Sequence, residues 1–337
     1  MYLISPFKKQ YKANLHAHSA LSDGNRTPGE LKEMYKKRGY SILAITDHEV
    51  PKNHSYLNDD DFLTITGYEA YIRRYADCRV DLYGKEIHMN LFARDPSNET
   101  MICYNPSYCK YIPQEEQARM AKAGSQSARE YSVEYINRFI RTAKENGYLV
   151  TYNHPWWSME DEADILAYDG FFSMEMCNFG SYQLSRLEYN AALYDKMLKR
   201  GKRIFCHSAD DNHNVVPDDS PRCDSFGGFT MLMPESFTYD AVIRAMETGA
   251  MYSSMGPIFR EVSMQGNRLH VECSEVERIA VFTGSKAPRR VFAPAGETIT
   301  CADLEVDERA EFVRVSVVDR YGRFADTRGF FRDELEF

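Results

Sequence analysis

The 337-residue sequence has no long hydrophobic run, which argues against a membrane-spanning helix. Such a helix needs about 20 consecutive apolar residues, and no stretch of that kind occurs. The first residues also lack a signal-peptide core and cleavage site, because Lys8, Lys9 and Lys12 follow a short apolar start. We therefore expect no membrane partner and a cytoplasmic location.

Cysteine pairs and an excess of basic charge are missing as well. The eight cysteines show no CxxC spacing, and several stand inside apolar runs, so free buried thiols are favoured over a disulfide framework. The 41 basic and 50 acidic residues give a net charge of −9, which argues against a stable nucleic-acid partner. Motifs of the types GxSxG, GxxxxGK[ST] and GxGxxG are also absent, so covalent acyl chemistry and nucleotide-binding loops have no support.

The sequence does contain seven short apolar runs, each of which contains or ends in a polar, chemically active residue. Runs of this length, rich in β-forming residues, are typical of strands buried on both faces. They cover residues 11–18, 41–48, 62–70, 86–93, 148–155, 171–178 and 203–211.

Amphipathic stretches separate several of these runs and predict helices. One begins with a capping box at Thr27, Pro28 and Glu30 and ends at Gly39. Two more cover residues 132–146, before Gly147, and residues 187–199, before Gly201. This alternation predicts a parallel sheet closed into a barrel, whose active site lies at the carboxyl ends of the strands.

The pattern changes after Gly256 and Pro257, where short alternating runs and turn-like pairs replace the helical period. We therefore predict an α/β domain over residues 1–257 and a small antiparallel β-domain over residues 258–337. Residues 95–131 are polar and form either a lid over the site or a surface excursion.

Six of the nine histidines are predicted to stand at the ends of these strands and to face the same opening. His16 and His18 form an HxH pair, and alternate residues of a strand point the same way, so both can face one ion. The others are His48, His88, His154 and His213, and the carboxylates Asp23, Glu69 and Asp211 stand at similar positions. This regular placement favours a metal site over chance. The histidines His54, His207 and His270 are expected to be structural.

The motifs HAHSALSDG, AITDH, GYEA, IHMNLF, YNHP and ADDNH occur in this order over roughly residues 12–257. They resemble the motifs of the PHP family, named for polymerase and histidinol phosphatase. The resemblance implies a distorted seven-stranded β/α barrel, similar to a TIM barrel, with two or three divalent ions and phosphoester hydrolysis.

The resemblance also implies three ion sites. The first would use His16, His18, Glu69 and Asp211; the second Asp23, His48, His213 and again Asp211; the third Glu69, His88 and His154. Glu69 and Asp211 would be the catalytic, bridging carboxylates that position the attacking hydroxide. Asp23 stands where many family members have a histidine, which favours Mn²⁺ or Fe²⁺ over Zn²⁺ in the second site.

Two neighbouring carboxylates are predicted to act through the ligands. Asp210 is expected beside Asp211, and Asp47 is expected to orient the imidazole of His48.

Substrate contacts are less defined by the sequence. The candidates are Glu175, Asn178, Trp156 and Arg222. The Trp156-Trp157 pair predicts either an aromatic wall or buried packing, and the loop cations Arg26, Arg73, Arg74, Lys85 and Arg222 are either phosphate contacts or ordinary surface charges.

The predicted reaction is hydrolysis of a small-molecule ester. Two ions about 3.5–4 Å apart would activate a water molecule between them as the nucleophile. A phosphoester is the preferred substrate. Hydrolysis of a carboxyl or carbamate ester by the same centre is the alternative, because a PHP barrel with an appended β-domain resembles the branch that contains carbamate hydrolases. A binding module without catalysis is the third possibility.

Overall fold

The computed structural model describes residues 1–74 and 83–336. Its α-helices are α1 (Pro28–Lys37), α2 (Gln114–Arg119), α3 (Val133–Glu145), α4 (Glu162–Ala167), α5 (Phe179–Ser185), α6 (Ala191–Lys199) and α7 (Tyr239–Thr248), with short 3₁₀ turns at Ser55–Leu57 and Arg332–Glu334. The first eleven strands are β1 (Tyr2–Ile4), β2 (Tyr11–Asn14), β3 (Ile42–Ala44), β4 (Leu63–Ile65), β5 (Gly67–Arg73), β6 (Glu86–Ala93), β7 (Met101–Ile102), β8 (Lys122–Ala123), β9 (Tyr148–Tyr152), β10 (Ser173–Asn178) and β11 (Phe205–Ala209). The remaining strands are β12 (Phe229–Leu232), β13 (Met251–Ser254), β14 (Phe259–Gln265), β15 (Arg268–Val276), β16 (Arg278–Phe282), β17 (Arg289–Phe292), β18 (Ile299–Glu305), β19 (Phe312–Val318), β20 (Phe324–Thr327) and β21 (Phe330–Phe331).

Each of the seven predicted runs contains a strand, and these strands belong to two sheets. Strands β11, β10, β9, β6 and β5 form one sheet in that order. Strands β2, β3 and β4 are parallel and form one end of a second sheet, which continues through β12 and β13 into the C-terminal part of the chain. The α/β architecture predicted from the sequence is therefore observed.

The prediction of a purely parallel, closed sheet differs from the structure in two respects. Strand β6 runs antiparallel to both β5 and β9. Strands β5 and β6 are neighbours in the chain and in the sheet, and a parallel pair would need a long crossover between them. Within residues 1–74 and 83–336, the ladders do not form one continuous barrel. Three isolated bridges, Ala17–Asn212, His48–Glu69 and Lys52–Gly67, connect the two sheets in place of a ladder, so closure remains a prediction.

The helix-end signals are confirmed for α1 and α3. The Thr27 hydroxyl accepts the N–H of Glu30, whose carboxylate accepts the N–H of Thr27, and Ser132 caps α3 in a similar way. The predicted start of α6 at residue 187 is wrong by four residues. Arg186 has a left-handed backbone with φ of 60°, and Tyr189 forms a bridge to Cys177, so the chain stays extended until Asn190.

The C-terminal strands are antiparallel, as predicted, and enclose a hydrophobic core of their own. They are nevertheless continuous with the rest of the fold. Strand β13 pairs with β20, and the N-terminal strand β1 pairs with β14. No break in pairing marks the predicted boundary at 257/258, and the two-domain division remains a prediction. Strands β17 and β18 were not predicted.

The segment 95–131 folds as short elements against the α/β core. Met101, Ile102 and Cys103 pack in the same buried cluster as Ile136 and Phe139 of α3. This packing anchors the segment and excludes a purely external excursion.

The helices and the cysteines bear on the expectations about membrane spans and disulfides. None of the helices in the described part of the chain is long and apolar enough to cross a bilayer. The seven cysteines within the described ranges are free thiols, and all but Cys301 are buried. Cys78 lies outside the described residues.

Candidate metal centre

A cavity of about 470 Å³ opens where the strands β2, β3, β9 and β11 end. Seven of the nine predicted metal ligands line it, namely Asp23, His48, Glu69, His88, His154, Asp211 and His213. The other two, His16 and His18, are fully buried beneath it. The fold therefore brings all nine residues to one place.

Glu69, in the middle of β5, is the centre of this arrangement. Its carboxylate is buried, and five imidazoles approach it at nitrogen–oxygen distances of 3.0 to 3.5 Å: His16, His18, His48, His88 and His154. The side-chain amide of Asn153 also donates a hydrogen bond to Glu69 over 2.8 Å. Sequence reasoning missed Asn153, for which the sequence carries no distinguishing signal.

Asp211 lies opposite, next to the HxH pair. Its Oδ1 is 3.0 Å from His18 Nε2 and 3.1 Å from His16 Nε2. Asp211 has a φ of 52° and His154 a φ of 25°, both in the left-handed region that non-glycine residues rarely adopt. Backbone strain of this kind clusters at functional sites, where the surrounding structure compensates its cost.

The possible ligand atoms form three groups whose members lie within 4.8 Å of one another. The first contains His16, His18, Glu69 and Asp211, the same residues as the first predicted site. The second contains His18, Asp23, His48 and His213, so His18 takes the place predicted for Asp211. The third contains His48, Glu69 and His88, and His154 lies beside it, with Nε2 3.3 Å from Glu69 Oε1 and 3.9 Å from Asp211 Oδ2.

The residues present fit divalent cations. Within the described residues, four of their buried polar atoms form no hydrogen bond of good geometry: His18 Nδ1, His48 Nδ1, His88 Nδ1 and Glu69 Oε2, although the carboxylate of Glu69 lies 3.0 Å from His48 Nδ1 and 3.1 Å from His88 Nδ1. Unpartnered buried polar atoms are costly, at about 1–3 kcal/mol each, and native proteins avoid them. Imidazole and carboxylate groups converging in this way form the donor set that Zn²⁺, Mn²⁺ and Fe²⁺ accept.

Outer carboxylates fix the orientation of two imidazoles. Glu175 Oε1 lies 2.8 Å from His16 Nδ1, and Glu86 Oε1 lies 2.8 Å from His88 Nε2. The opposite nitrogen of each ring therefore faces Glu69. Carboxylate–histidine pairs of this kind orient metal-binding rings and raise their basicity. Sequence reasoning missed Glu86, although its position two residues before His88 on one strand puts both side chains on the same face.

The charges in the site are strongly coupled. Burial disfavours protonation of His16, but the carboxylates of Asp211, Glu69 and Glu175 outweigh it and raise its pKa well above the ordinary value. Similarly, burial opposes protonation of His88, yet Glu69 and Glu86 raise its pKa to about 10. The buried carboxylates therefore require compensating positive charge, which divalent cations would supply.

Asp47 and Asp210 do not take the positions expected for them. Asp47 accepts hydrogen bonds from the backbone N–H and hydroxyl of Ser19 and from the hydroxyl of Ser22, so it fixes the loop before Asp23 and does not orient the ring of His48. Asp210 accepts the Tyr35 hydroxyl and three backbone N–H groups of residues 226–228. Burial raises the pKa of Asp210 to about 7.

The three histidines expected to be structural lie outside the three groups. His54 is buried beside Tyr56, His207 contacts the Ser173 hydroxyl, and His270 pairs with Asp303 in the C-terminal sheet.

The candidate substrate contacts separate into two sets. Glu175 and Asn178 are fully buried behind the cavity, where Glu175 also accepts the N–H of His154 and Asn178 donates to both Glu175 and Asp211. Their position suits support of the ligands and not contact with substrate. Arg222 lines the cavity, whereas Trp157, and not Trp156, is the tryptophan that does so.

Among the loop cations, Arg73 lines the cavity and pairs with Glu86 at 2.7 Å. Arg26 pairs with Asp218, and Lys85 pairs with Asp161, both outside the lining; Arg74 also lies outside it. Sequence reasoning missed Lys110, which the segment 95–131 brings to the cavity. That segment therefore forms part of the cavity wall.

Comparison with known proteins gives one sequence match. The model of the PHP domain family matches residues 14–209, which is more than half of the chain. No curated protein is significantly similar in sequence.

Solved structures match as well, among them the following three. A two-domain protein from Bacteroides vulgatus containing a predicted PHP-like metal-dependent phosphoesterase is 12% identical, with a TM-score of 0.45 and coverage of 98% of this chain and 89% of that one. A candidate metal-dependent phosphoesterase from Bifidobacterium adolescentis is 16% identical, with a TM-score of 0.41 and coverage of 69% and 94%. An amidohydrolase from Chromobacterium violaceum, with bound sulfate and no metal, is 18% identical, with a TM-score of 0.39 and coverage of 63% and 93%.

Proposed function

This chain belongs to the PHP domain family, and from that membership we propose that it is a metal-dependent phosphoesterase acting on a small phosphate ester. The observation that carries the proposal is the buried Glu69 carboxylate with five imidazoles around it and Asp211 beside the same Nε2 atoms of His16 and His18. No nucleophilic serine or cysteine is needed in a site of this composition.

Nine residues would hold the ions: His16, His18, Asp23, His48, Glu69, His88, His154, Asp211 and His213. When bound, two or three divalent ions (Mn²⁺, Fe²⁺ or Zn²⁺) would lower the pKa of a water molecule and offset negative charge on the substrate. Glu69 and Asp211 contact the ring nitrogens that face inward, and we propose them as the carboxylates that position the attacking water. Glu175 and Glu86 hold the rings of His16 and His88 in place, so little reorganisation accompanies the reaction.

The cations of the cavity favour a phosphate over a neutral ester. Lys110 and Arg222 both line it, and neither pairs with a carboxylate of the described residues. Uncompensated cations beside a cavity attract and orient anionic substrates, and guanidinium groups bind phosphate oxygens in a bidentate manner. A neutral carbamate or carboxyl ester would make no use of these two charges.

Metal analysis and a substrate screen test the proposal together. We expect two or three divalent ions per chain in protein purified without chelator. We also expect faster hydrolysis of an aryl phosphate than of the matching aryl acetate or aryl carbamate. Absence of bound metal, with no activity after addition of Mn²⁺, would contradict the metal-dependent mechanism. Faster cleavage of the acetate or carbamate would favour the alternative function, hydrolysis of a carboxyl or carbamate ester, over the phosphoesterase.

Two variants connect the activity to the site. His16→Ala and Asp211→Ala should each reduce the metal content and abolish turnover, because each removes a ligand that contacts another ligand of the same group. His270→Ala is the matched control, since this histidine is in the C-terminal sheet and pairs with Asp303. Equal activity in all three variants would refute the assignment. The small-molecule substrate and the cytoplasmic location are part of the same proposal.

A further inference from the structure

We infer that Trp157 and Leu184 bind the alcohol part of the substrate and that this alcohol is flat and apolar, such as an aryl group. The inference rests on the proposed phosphoesterase function and adds a substrate class to it.

Trp157 lies directly beside the candidate metal ligands. Its ring centroid is 5.0 Å from that of His88 and 4.8 Å from that of His154, and the indole is nearly perpendicular to both imidazoles. The side chain lines the cavity and is still 40% exposed. The indole therefore presents an apolar surface next to the position of the reacting group.

A buried carboxylate fixes this tryptophan in place. Glu188 is fully buried and accepts the backbone N–H of Trp156 over 3.0 Å and that of Trp157 over 2.8 Å. It also accepts the side-chain amide of Asn190 over 2.8 Å. Because Glu188 follows α5 in the chain, these bonds hold the tryptophan loop against the segment that carries Leu184. Both apolar side chains line the same cavity, and the backbone that carries Trp157 is held in place.

The lining of the cavity contains both apolar and charged side chains. Leu184 is 78% exposed and Val215 is 74% exposed, and both line the same cavity as Trp157. Single exposed apolar side chains are ordinary, but several around one cavity mark a ligand surface. The rest of the lining is polar and includes the candidate metal ligands and the cations Arg73, Lys110 and Arg222.

The chemistry of a phosphate monoester indicates which part of the substrate the apolar lining contacts. Such a substrate contains one organic group, the alcohol, so an apolar wall beside the reacting phosphorus can contact only this group. In hydrolysis a water oxygen bonds to phosphorus while the bond between phosphorus and the alcohol oxygen breaks, and the alcohol leaves with a proton that derives from this water. A ring that stacks on the indole and contacts Leu184 satisfies this geometry.

Kinetics with two phosphate esters tests the inference. The ratio of kcat/KM for 4-nitrophenyl phosphate to that for ethyl phosphate is measured in the metal-loaded wild type and in variants of equal metal content. We expect Trp157→Ala to lower this ratio at least tenfold, Leu184→Ser to lower it severalfold, and Trp157→Phe to retain most of it. Trp156→Ala is the matched control and should leave the ratio within twofold, because Trp156 does not line the cavity.

Fluorescence provides a second readout that needs no turnover. Trp156 and Trp157 are the two tryptophans of the chain, so each alanine variant retains a single one. The uncleavable probe 4-nitrophenylphosphonate should quench Trp157 in the Trp156→Ala variant to saturation and should not quench Trp156 in the Trp157→Ala variant. The same quenching in both variants, or an unchanged ratio in both Trp157→Ala and Leu184→Ser, would overturn the inference. If the wild type hydrolyses neither ester, the proposed function fails instead.

Discussion

Replacement of Arg129 by methionine is expected to destabilise the fold by about 3–5 kcal/mol, because it leaves a buried carboxylate without its partner. The guanidinium of Arg129 is buried and donates to both carboxylate oxygens of Glu49, which is fully buried as well. It also donates to the backbone carbonyls of Tyr71, Ile102 and Cys103. One side chain thus connects the segment 95–131 to β5 and to the residue after His48.

The expected loss of stability comes from leaving the buried Glu49 carboxylate unpaired and not from the attraction within the ion pair itself. Methionine retains most of the side-chain volume, so the cost of a cavity is small and the uncompensated charge dominates. Glu49→Gln in the same chain removes that charge, and the double variant should recover about half of the loss. Urea unfolding of the wild type, both single variants and the double variant gives the coupling free energy directly.

Arg119→Met provides the matched control. Arg119 pairs with Glu115 at 3.3 Å on the surface of α2, and both side chains are well exposed. Surface pairs of this kind contribute about 0.5 kcal/mol or less. If Arg129→Met unfolds at the same urea concentration as Arg119→Met, the buried pair does not anchor the segment, and the reasoning is refuted.

Three further predictions concern single side chains. Glu175→Gln should weaken Mn²⁺ binding in a titration by about 10–100-fold, since it removes the charge that orients His16, and unchanged affinity would refute this role. Burial lowers the pKa of His54 to about 4, whereas the pKa of a histidine in the unfolded chain is about 6.5. The free energy of unfolding of the wild type should therefore fall by about 2 kcal/mol between a pH above 6.5 and about pH 5. The His54→Leu variant should lack this loss when urea unfolding is measured at both pH values. Gly228→Ala should destabilise the fold by about 2 kcal/mol or more, because its Cβ would lie 2.4 Å from a backbone oxygen. In the control Gly29→Ala the Cβ meets no neighbour, so this variant should stabilise α1 by up to about 1 kcal/mol. Comparable melting temperatures of the two variants would contradict the clash.

Local signals in the sequence predicted the secondary structure where the cause is local. The capping box at Thr27 and the cap at Ser132 both act within one helical turn, and both are observed. The start of α6 was misplaced because a left-handed residue, Arg186, and a bridge from Tyr189 to a distant strand hold the chain extended. The antiparallel course of β6 and the pairing of β1 with β14 depend on contacts between distant parts of the chain, which periodicity does not encode.

In the candidate site, too, some features follow from the sequence and others depend on the tertiary structure. The sequence by itself predicted which residues meet, because most of these histidines and carboxylates stand at or just after the ends of predicted strands. Glu69, within β5, and His88, near the start of the antiparallel strand β6, join them through strand pairing. Only the tertiary structure decided how their atoms group, since His18 and His48 each belong to two groups. It also decided that Glu86 and Glu175 support imidazoles and that Trp157, held by Glu188, lines the cavity. Those relations depend on side-chain directions and on the strained backbone at His154 and Asp211, which form only when the strands pack together.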